Sequence, residues 1–260
     1  MPTSASTARK PSGAAAGGSK RVASSSSRKG AAAASTAAAA EPDHSALNAA
    51  VATHFTEAQH SLASHRKHIT SLAKLHLKTA GKDGAQGERA FNIAFVACLD
   101  TVLDARAGVS NAERILKFSA AYTAYIQAQV QKQAGAEGDA DKSISGGEDN
   151  VASRFITVLV RHILKGLLAH NKLVRLRCTQ LVVLLLESLS ALDDDLYTSI
   201  QEALLKRIRD KEANIRAQAI VGLSKVAASD EMDDDDMDES NIAQEVQALL
   251  IDVVQHDPSA

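Results

Sequence analysis

The chain has 260 residues, of which 45 % are apolar but only 3 % are aromatic, and it contains no tryptophan. Three of its four prolines (Pro2, Pro11 and Pro42) lie near the start, and the long stretch rich in Leu and Ala that follows favours helices over strands. The two cysteines, Cys98 and Cys178, lie far apart and indicate no disulfide framework or paired-cysteine metal site. No apolar run reaches the roughly 18 to 20 residues that a membrane helix needs, so we expect no membrane partner.

Residues 1–43 are of low complexity, with runs of serine and alanine that cannot bury enough surface to offset the entropy of ordering. We therefore predict a disordered basic tail. Its basic pairs, Arg9-Lys10, Lys20-Arg21 and Arg28-Lys29, are compatible with phosphate contacts, with a nuclear import signal or with solubilising charge alone.

Helical periodicity begins at His44 and predicts N-terminal helical repeats over residues 44–132. Apolar residues recur every three or four positions through residues 45–80, the glycine-rich stretch 81–87 predicts a break, and the pattern resumes at Phe91. Ser110 or Asn111 can cap a further helix. Residues 133–150, rich in glycine, alanine and aspartate, predict a flexible acidic linker loop.

Residues 151–228 contain an internal repeat, which is the most informative feature of the sequence. Val174 and Ile215 are 41 residues apart, and each begins an apolar stripe with the same helical spacing. Amphipathic helices precede both copies, at about 154–168 and 196–209. Helix pairs at a period near 40 are typical of HEAT or armadillo repeats, which stack because one pair cannot bury its stripe. The predicted fold class is therefore all-α: a HEAT-repeat α-solenoid of stacked antiparallel helix pairs, with a disordered N-terminal tail.

The last part of the chain is acidic. We predict two HEAT repeats over 151–228, an acidic loop at 229–240, and the start of a further, truncated repeat at 241–260. The net charge is only −2, yet residues 227–260 contain no lysine or arginine, so the predicted helical blocks are basic. A basic body indicates an anionic partner.

Residues 151–228 form the second predicted helical block. Two of its segments resemble the CAP-G type of condensin subunit 3, a HEAT-repeat family. They are residues 193–226, DDDLYTSIQEALLKRIRDKEANIRAQAIVGLSKV, and residues 156–189, which contain LLAHNKLVRLRCTQLVVLLLESL. Weaker similarity lies in HFTEAQHSLASHRKHITSLAKL at 54–75 and AERILKFSAAYTAYI at 112–126. The resemblance covers residues 46–258. Members of the family are several times longer, so we expect this chain to be an N-terminal fragment.

The resemblance implies a non-enzymatic subunit that binds the kleisin subunit of condensin in its groove and holds double-stranded DNA during mitotic chromosome condensation. Other condensin subunits would be contacted indirectly. It implies localisation in the nucleus and on mitotic chromosomes, and in the cytoplasm for part of the cell cycle. The alternative is a HEAT or armadillo protein-interaction scaffold, such as a transport adaptor, without DNA binding.

Catalytic motifs are lacking: the sequence has no phosphate-binding loop, no GxSxG and no HExxH. His54, His65 and His76 recur every eleven residues on one predicted helix face, about 16 Å apart and too far to share a metal. His65 and His68 are only three residues apart, but we interpret them as exposed histidines on a helix and not as metal ligands. We therefore predict no catalytic residues, metal, cofactor or small-molecule substrate.

Aromatic residues for base stacking are scarce, so binding to duplex DNA must depend on lysine and arginine. These residues contact phosphates, which gives affinity that does not depend on the base sequence. The candidates form two groups along the chain. They are Arg66, Lys67, Lys74 and Lys78 in the first, and Lys165, Lys172, Arg177, Lys206, Arg207, Arg209 and Lys211 in the second.

Arg175 and Arg216 occupy a repeated position that commonly pairs with an acid in the turn, and Asp210 is such an acid. We predict a structural role for both arginines. Lys206, Arg207 and Arg209 end a helix, where cations also satisfy the helix dipole without any ligand.

Overall fold

The computed structural model describes residues 44–136 and 150–230, together with three residue pairs between 247 and 256. Residues 44–230, where described, form seven α-helices and one short 3-10 helix, without a strand. The helices are α1 (Ser45–Ala58), α2 (His65–Leu103), α3 (Val109–Ala136), α4 (Val151–Leu167), α5 (Lys172–Ser188), α6 (Asp194–Arg207) and α7 (Ala213–Asp230), and the 3-10 helix is Leu62–Ser64. All lie in one compact unit, residues 42–260.

Several sequence expectations lie outside the described residues. These are the tail at 1–43 and most of the linker at 133–150, the acidic loop at 229–240 and the truncated repeat at 241–260. Among the described helices, none is both long and apolar enough to cross a membrane.

Residues 45–80 are not the single helical segment that their apolar spacing predicts. The chain leaves α1 after Ala58, and the hydroxyl of Ser61 accepts a hydrogen bond from the Ala63 N–H at 3.2 Å to start the 3-10 turn. His65 then begins α2 and places its Nε2 3.0 Å from the carbonyl oxygen of Ala58. Serine and histidine side chains form hydrogen bonds with backbone groups at these helix ends. The break therefore contains neither the glycine nor the proline that would have indicated it in the sequence.

The break predicted at 81–87 is narrower than its three glycines suggest. Only Gly84 leaves the helical conformation, with φ 56° and ψ −139°, and helix continues on both sides. Glycine alone adopts this backbone readily, since it has no Cβ. The chain reverses at Gly84, so that His76 lies against Phe91, and α2 consists of an N-terminal half (65–83) and a C-terminal half (85–103) that pack side by side.

The helices stack in two layers. The C-terminal half of α2, α4 and α6 form the first layer, and α3, α5 and α7 form the second, each packed against its predecessor in the layer. Successive helices α2 and α3, α4 and α5, and α6 and α7 pack as pairs across the layers. This arrangement is the HEAT-type solenoid predicted from the sequence, which is thereby confirmed.

Three helices of the second block, α4, α5 and α6, begin at polar caps. Asn150 accepts a hydrogen bond from the Ser153 N–H at 2.9 Å and completes a capping box at the start of α4. The side chains of Asn171 and Asp193 likewise accept from backbone N–H groups at the starts of α5 and α6, at 3.0 and 3.1 Å. These caps satisfy N–H groups that the helix leaves unpaired.

Equivalent positions of the 41-residue repeat are buried in both copies. Cys178 and Ala219 are both fully buried, as are Leu185 and Val226. At Gly222 a Cβ would lie 2.9 Å from a Leu204 methyl group, so a larger residue there would displace the Leu204 side chain.

An aromatic cluster fills the core between α1, α2, α3 and α4. It consists of Phe55, Phe91, Phe95, Phe118, Tyr122 and Phe155, with His76 included among them. The His76 ring stacks on Phe91 with centroids 3.9 Å apart, and its Nδ1 lies 2.8 Å from the Tyr122 hydroxyl. Burial lowers the pKa of His76 to about 4, although the charge of Glu88 opposes this effect.

The pKa of His76 predicts a fold that weakens in acid. Because the unfolded chain takes up a proton near pH 6.5 and the folded chain only near pH 4, stability falls by about 3 kcal/mol as pH drops through this window. We expect His76→Phe/Tyr122→Phe to remove this pH dependence from the free energy of unfolding, which urea denaturation between pH 6.5 and 4 measures. Tyr122→Phe alone should keep the slope, and an unchanged slope in the double variant would contradict the assignment.

Candidate nucleic-acid interface

The predicted cations of the second block lie at one edge of the solenoid, where the first helix of each pair ends and the second begins. We call this the turn edge: residues 59–64 and the adjoining first turn of α2, residues 104–108, residues 168–171 and residues 208–212 with the adjoining helix ends. At residues 104–108, Gly108 adopts a φ of 74° before α3. The side chain of Asn171 donates from Nδ2 to Oδ1 of Asp104, which joins two neighbouring turns.

Asp210 organises the last of these turns. Its carboxylate accepts two hydrogen bonds from Arg175, at 2.8 and 3.0 Å, and one from Arg207 at 2.8 Å. It also accepts from the Glu212 N–H at 3.1 Å. Burial favours the neutral acid, but the hydrogen bonds from Arg175 and Glu212 and the charges of the two arginines outweigh it, so the pKa of Asp210 lies below its usual range.

Arg175 and Arg216 close their own turns in the same way. Nη1 of Arg175 donates to the carbonyls of Ala169 and His170, at 2.9 and 2.8 Å. Nη1 of Arg216 donates to the equivalent carbonyls of Asp210 and Lys211, at 3.0 and 3.3 Å. The repeated position therefore holds an arginine that ties the preceding turn to its own helix, and Arg175 also reaches the carboxylate of the next turn.

Two of the predicted DNA-binding residues are structural instead. Arg177 is only 3 % exposed, and its Nη1 donates to the carbonyls of Val102 and Leu103 at the end of α2. Arg207 keeps 19 % of its side chain exposed and is held by Asp210. Sequence spacing could not separate these arginines from their exposed neighbours, because an arginine stem can pack against apolar surface and bury its charge among carbonyls.

The other candidates of this group have exposed side chains. Nζ of Lys172 lies 3.3 Å from Glu212, so this ion pair joins the two adjacent turns at the solvent surface. Nζ of Lys206 lies 3.7 Å from Glu202 on its own helix. The exposed set near these turns is Lys165, Lys172, Lys206, Arg209 and Lys211. Surface pairs of this kind are weak and leave the lysines able to exchange partners.

The first group of candidates is exposed but divided by the fold. Arg66 and Lys67 lie in the first turn of α2, at the turn edge, whereas Lys74 and Lys78 lie farther along its N-terminal half. Lys67, Lys74 and Lys78 share one face of the helix because their spacings of seven and four residues return to the same side.

Arg114, Arg106 and Lys117 are among the cations that the sequence did not single out. Nη1 of Arg114, near the start of α3, donates to the carbonyl of Gln59 at 2.8 Å and so ties two turns together. Its place in the first turn of the second helix of a pair, like that of Arg175, is the signal that could have revealed it. Arg106 at the turn edge and Lys117 on α3 are exposed.

The histidines do not share one helix face, because the chain turns between His54 and His65. Nδ1 of His54 lies 3.1 Å from Nδ1 of His68, and burial together with the charge of His68 lowers the pKa of His54. Across residues 44–136 and 150–230, no group of three or more potential metal ligands is found.

The fold and this edge define a HEAT-type α-solenoid with exposed cations at its turns. Condensin complex subunit 3 of Saccharomyces cerevisiae is 30 % identical over 229 residues, covering 85 % of this chain and 21 % of the yeast protein. The Schizosaccharomyces pombe protein of the same name is 30 % identical over 79 % of this chain and 19 % of its own length. The human one is 30 % identical over 44 % of this chain and 10 % of its own length.

A solved structure agrees with these relatives. The crystal structure of the S. pombe condensin Cnd3–Cnd2 subcomplex matches with a TM-score of 0.55 and 27 % identity, over 81 % of this chain and 22 % of that one. No protein-family model matches. This chain is a relative of condensin complex subunit 3, and the resemblance predicted from its sequence is confirmed. It spans about a fifth of the length of the two yeast relatives.

The Asp210 contacts predict a large stability difference between two neighbouring acids. Asp210→Ala leaves Arg175 and Arg207 without their carboxylate in a site where Asp210 is only 3 % exposed, so we expect unfolding to become easier by about 3 kcal/mol. Glu212→Ala removes only the exposed pair with Lys172 and should change stability by less than about 1 kcal/mol. Urea midpoints measure both, and equal losses would contradict the central place of Asp210.

Proposed function

We propose that this chain is part of a non-enzymatic condensin HEAT subunit that binds the kleisin subunit and double-stranded DNA. Its similarity, over most of its length, to the chain in the condensin Cnd3–Cnd2 subcomplex carries the proposal. The assembly would compact mitotic chromosomes, with the protein in the nucleus and on chromosomes, and in the cytoplasm for part of the cell cycle.

The protein-binding part of the proposal is supported by the name of that subcomplex, in which a related chain is paired with a second condensin subunit. A two-layer solenoid suits this role, because stacked helix pairs expose a long continuous surface to one extended partner. The kleisin subunit is the proposed partner, and other condensin subunits would be reached through it.

The DNA-binding part is supported by the turn edge. Arg175, Arg207 and Arg216 are engaged by Asp210 and the turn carbonyls, whereas Lys172, Arg209 and Lys211 around them are exposed. Turns held by side-chain hydrogen bonds and flanked by exposed lysines suit contact with phosphates, which requires positive charge but no fixed hydrogen-bond pattern. Arg66 and Lys67 extend the same edge at α2.

Co-purification tests the protein partner. We expect the full chain, co-expressed with the kleisin subunit of the same organism, to elute with it as one complex in size-exclusion chromatography at physiological salt. Asp210→Ala should weaken this complex only if it unfolds the second block, which circular dichroism would report. Separate elution of the two proteins at all salt concentrations would contradict kleisin binding by this part of the subunit.

Titration of fluorescent duplex DNA tests the turn edge. We expect Lys172→Glu/Lys211→Glu to weaken binding roughly tenfold or more and to reduce the slope of log K against log salt by about 2, one for each lost phosphate contact. Lys74→Glu/Lys78→Glu reports whether the first group contributes.

The matched control for this titration is Lys82→Glu/Lys132→Glu. It makes the same charge change at exposed residues at the far ends of the N-terminal half of α2 and of α3, away from the turn edge. Equal loss in this control would mean that only net charge matters. Absence of binding at low salt, even with kleisin present, would favour a protein-interaction scaffold without DNA contact.

A further inference from the structure

The connection between α5 and α6, residues 189–193, is tied to α3 by hydrogen bonds to two glutamines. The backbone N–H and the hydroxyl of Ser190 both donate to Oε1 of Gln127, each at 3.1 Å. Nε2 of Gln127 donates to the carbonyl of Ala191 at 2.7 Å, and Nε2 of Gln131 donates to Oγ of Ser190 at 3.4 Å. We call this set of contacts the Ser190 latch.

The Ser190 latch joins helix pairs at the edge of the solenoid opposite the turn edge. It links α3, the second helix of its pair, to the connection between the next two pairs. At the turn edge, the corresponding link is the carboxylate of Asp210, which is only 3 % exposed. The latch, in contrast, lies at the surface, and Ser190 is exposed. An enzyme can therefore reach its hydroxyl without unfolding the core.

The sequence that follows Ser190 is acidic. Asp193, Asp194 and Asp195 lie three, four and five residues after it, and all three are exposed. Protein kinases select acceptor residues by the pattern of charge around the hydroxyl, and a carboxylate three residues after a serine is one such pattern. The backbone of the connection is extended at both ends, with ψ of 136° at Leu189 and 138° at Asp193.

Two other described serines also precede an acid by three residues, but both lie inside helices. Ser110 in α3 and Ser199 in α6 precede Glu113 and Glu202. Residues three apart in a helix are about 5 to 6 Å apart on one face, whereas an extended segment separates them by about 10 Å. A kinase that binds hydroxyl and acid in an extended segment therefore accepts Ser190 and rejects the two helical serines.

We propose that Ser190 is a phosphorylation site for an acid-directed serine kinase and that its phosphorylation releases residues 189–193 from α3. In this step Oγ of Ser190 attacks the γ-phosphorus of a nucleoside triphosphate, and the bond from that phosphorus to the β,γ-bridging oxygen breaks. The nucleoside diphosphate leaves with the bonding electron pair, and the hydroxyl proton passes to a base of the kinase. The proposal goes beyond binding of kleisin and DNA and depends on neither.

Phosphorylation removes contacts that hold the latch closed. Oγ of a phosphoserine has no proton to donate to Gln127, and the phosphoryl group adds a charge of about −1.5 to −2 at pH 7. This charge is repelled by Oε1 of Gln127 and by the acids that begin at Asp193. Lys132 follows Gln131 on α3, but successive residues of a helix point about 100° apart, so this lysine does not share the face that meets Ser190.

Phosphorylation of the full chain by a purified serine kinase that requires an acid at the third following position tests the acceptor. Tandem mass spectrometry should place the phosphate on Ser190 and not on Ser110 or Ser199, and Ser190→Ala should abolish this signal. Asp193→Asn should slow the reaction at Ser190 about tenfold or more, because asparagine can still cap α6 but carries no charge. Glu202→Gln makes the same change of charge within α6 and should leave the rate at Ser190 unchanged.

Hydrogen exchange measured by mass spectrometry tests the release. The N–H of Ser190 should exchange about tenfold faster or more in the phosphorylated chain, because it loses its acceptor on α3. Gln127→Ala should accelerate this exchange to a similar degree without phosphate. Gln218→Ala replaces a glutamine of α7 outside the latch and should leave the exchange unchanged.

Three results would overturn the proposal. The first is a folded chain that takes up no phosphate on Ser190, and the second is equal phosphorylation of Ser199, which would mean that the kinase acts on unfolded chain. The third is unchanged or slower exchange at Ser190 after phosphorylation, the result expected if Lys132 captured the phosphate. These measurements use neither kleisin nor DNA, so failure of either binding proposal leaves them unaffected.

Discussion

The carboxylate of Asp210 is the contact on which the geometry of the second block depends. It lies in one turn and is held by Arg175 from the preceding helix pair, so charged side chains join the two pairs in addition to apolar packing. Such a buried group is costly to desolvate and is stable only when each of its oxygens is satisfied. Arg177 makes the corresponding link one helix pair earlier, because it donates to the carbonyls at the end of α2.

The structural arginines also determine what the surface can do. Because Arg175, Arg177 and Arg207 are directed inward, the turn edge carries fewer available cations than its composition suggests. The exposed lysines that remain are attached to turns whose backbone is fixed by side-chain hydrogen bonds. Lysine side chains on such turns suit phosphate binding, because the backbone is already ordered and loses little entropy on binding.

The second block was largely predictable from sequence because α4, α5 and α6 start at polar caps and the apolar stripe recurs after 41 residues, as at Val174 and Ile215. The first block was less predictable. Its break after Ala58 is made by the side chains of Ser61 and His65, and its glycine-rich stretch turns α2 back on itself at Gly84 alone. Both depend on contacts between segments, which spacing along the chain does not reveal.

The same limit applies to the site. Whether an arginine faces phosphates or carbonyls depends on what lies across the interface from it, as Arg177 illustrates with its partners 74 and 75 residues away.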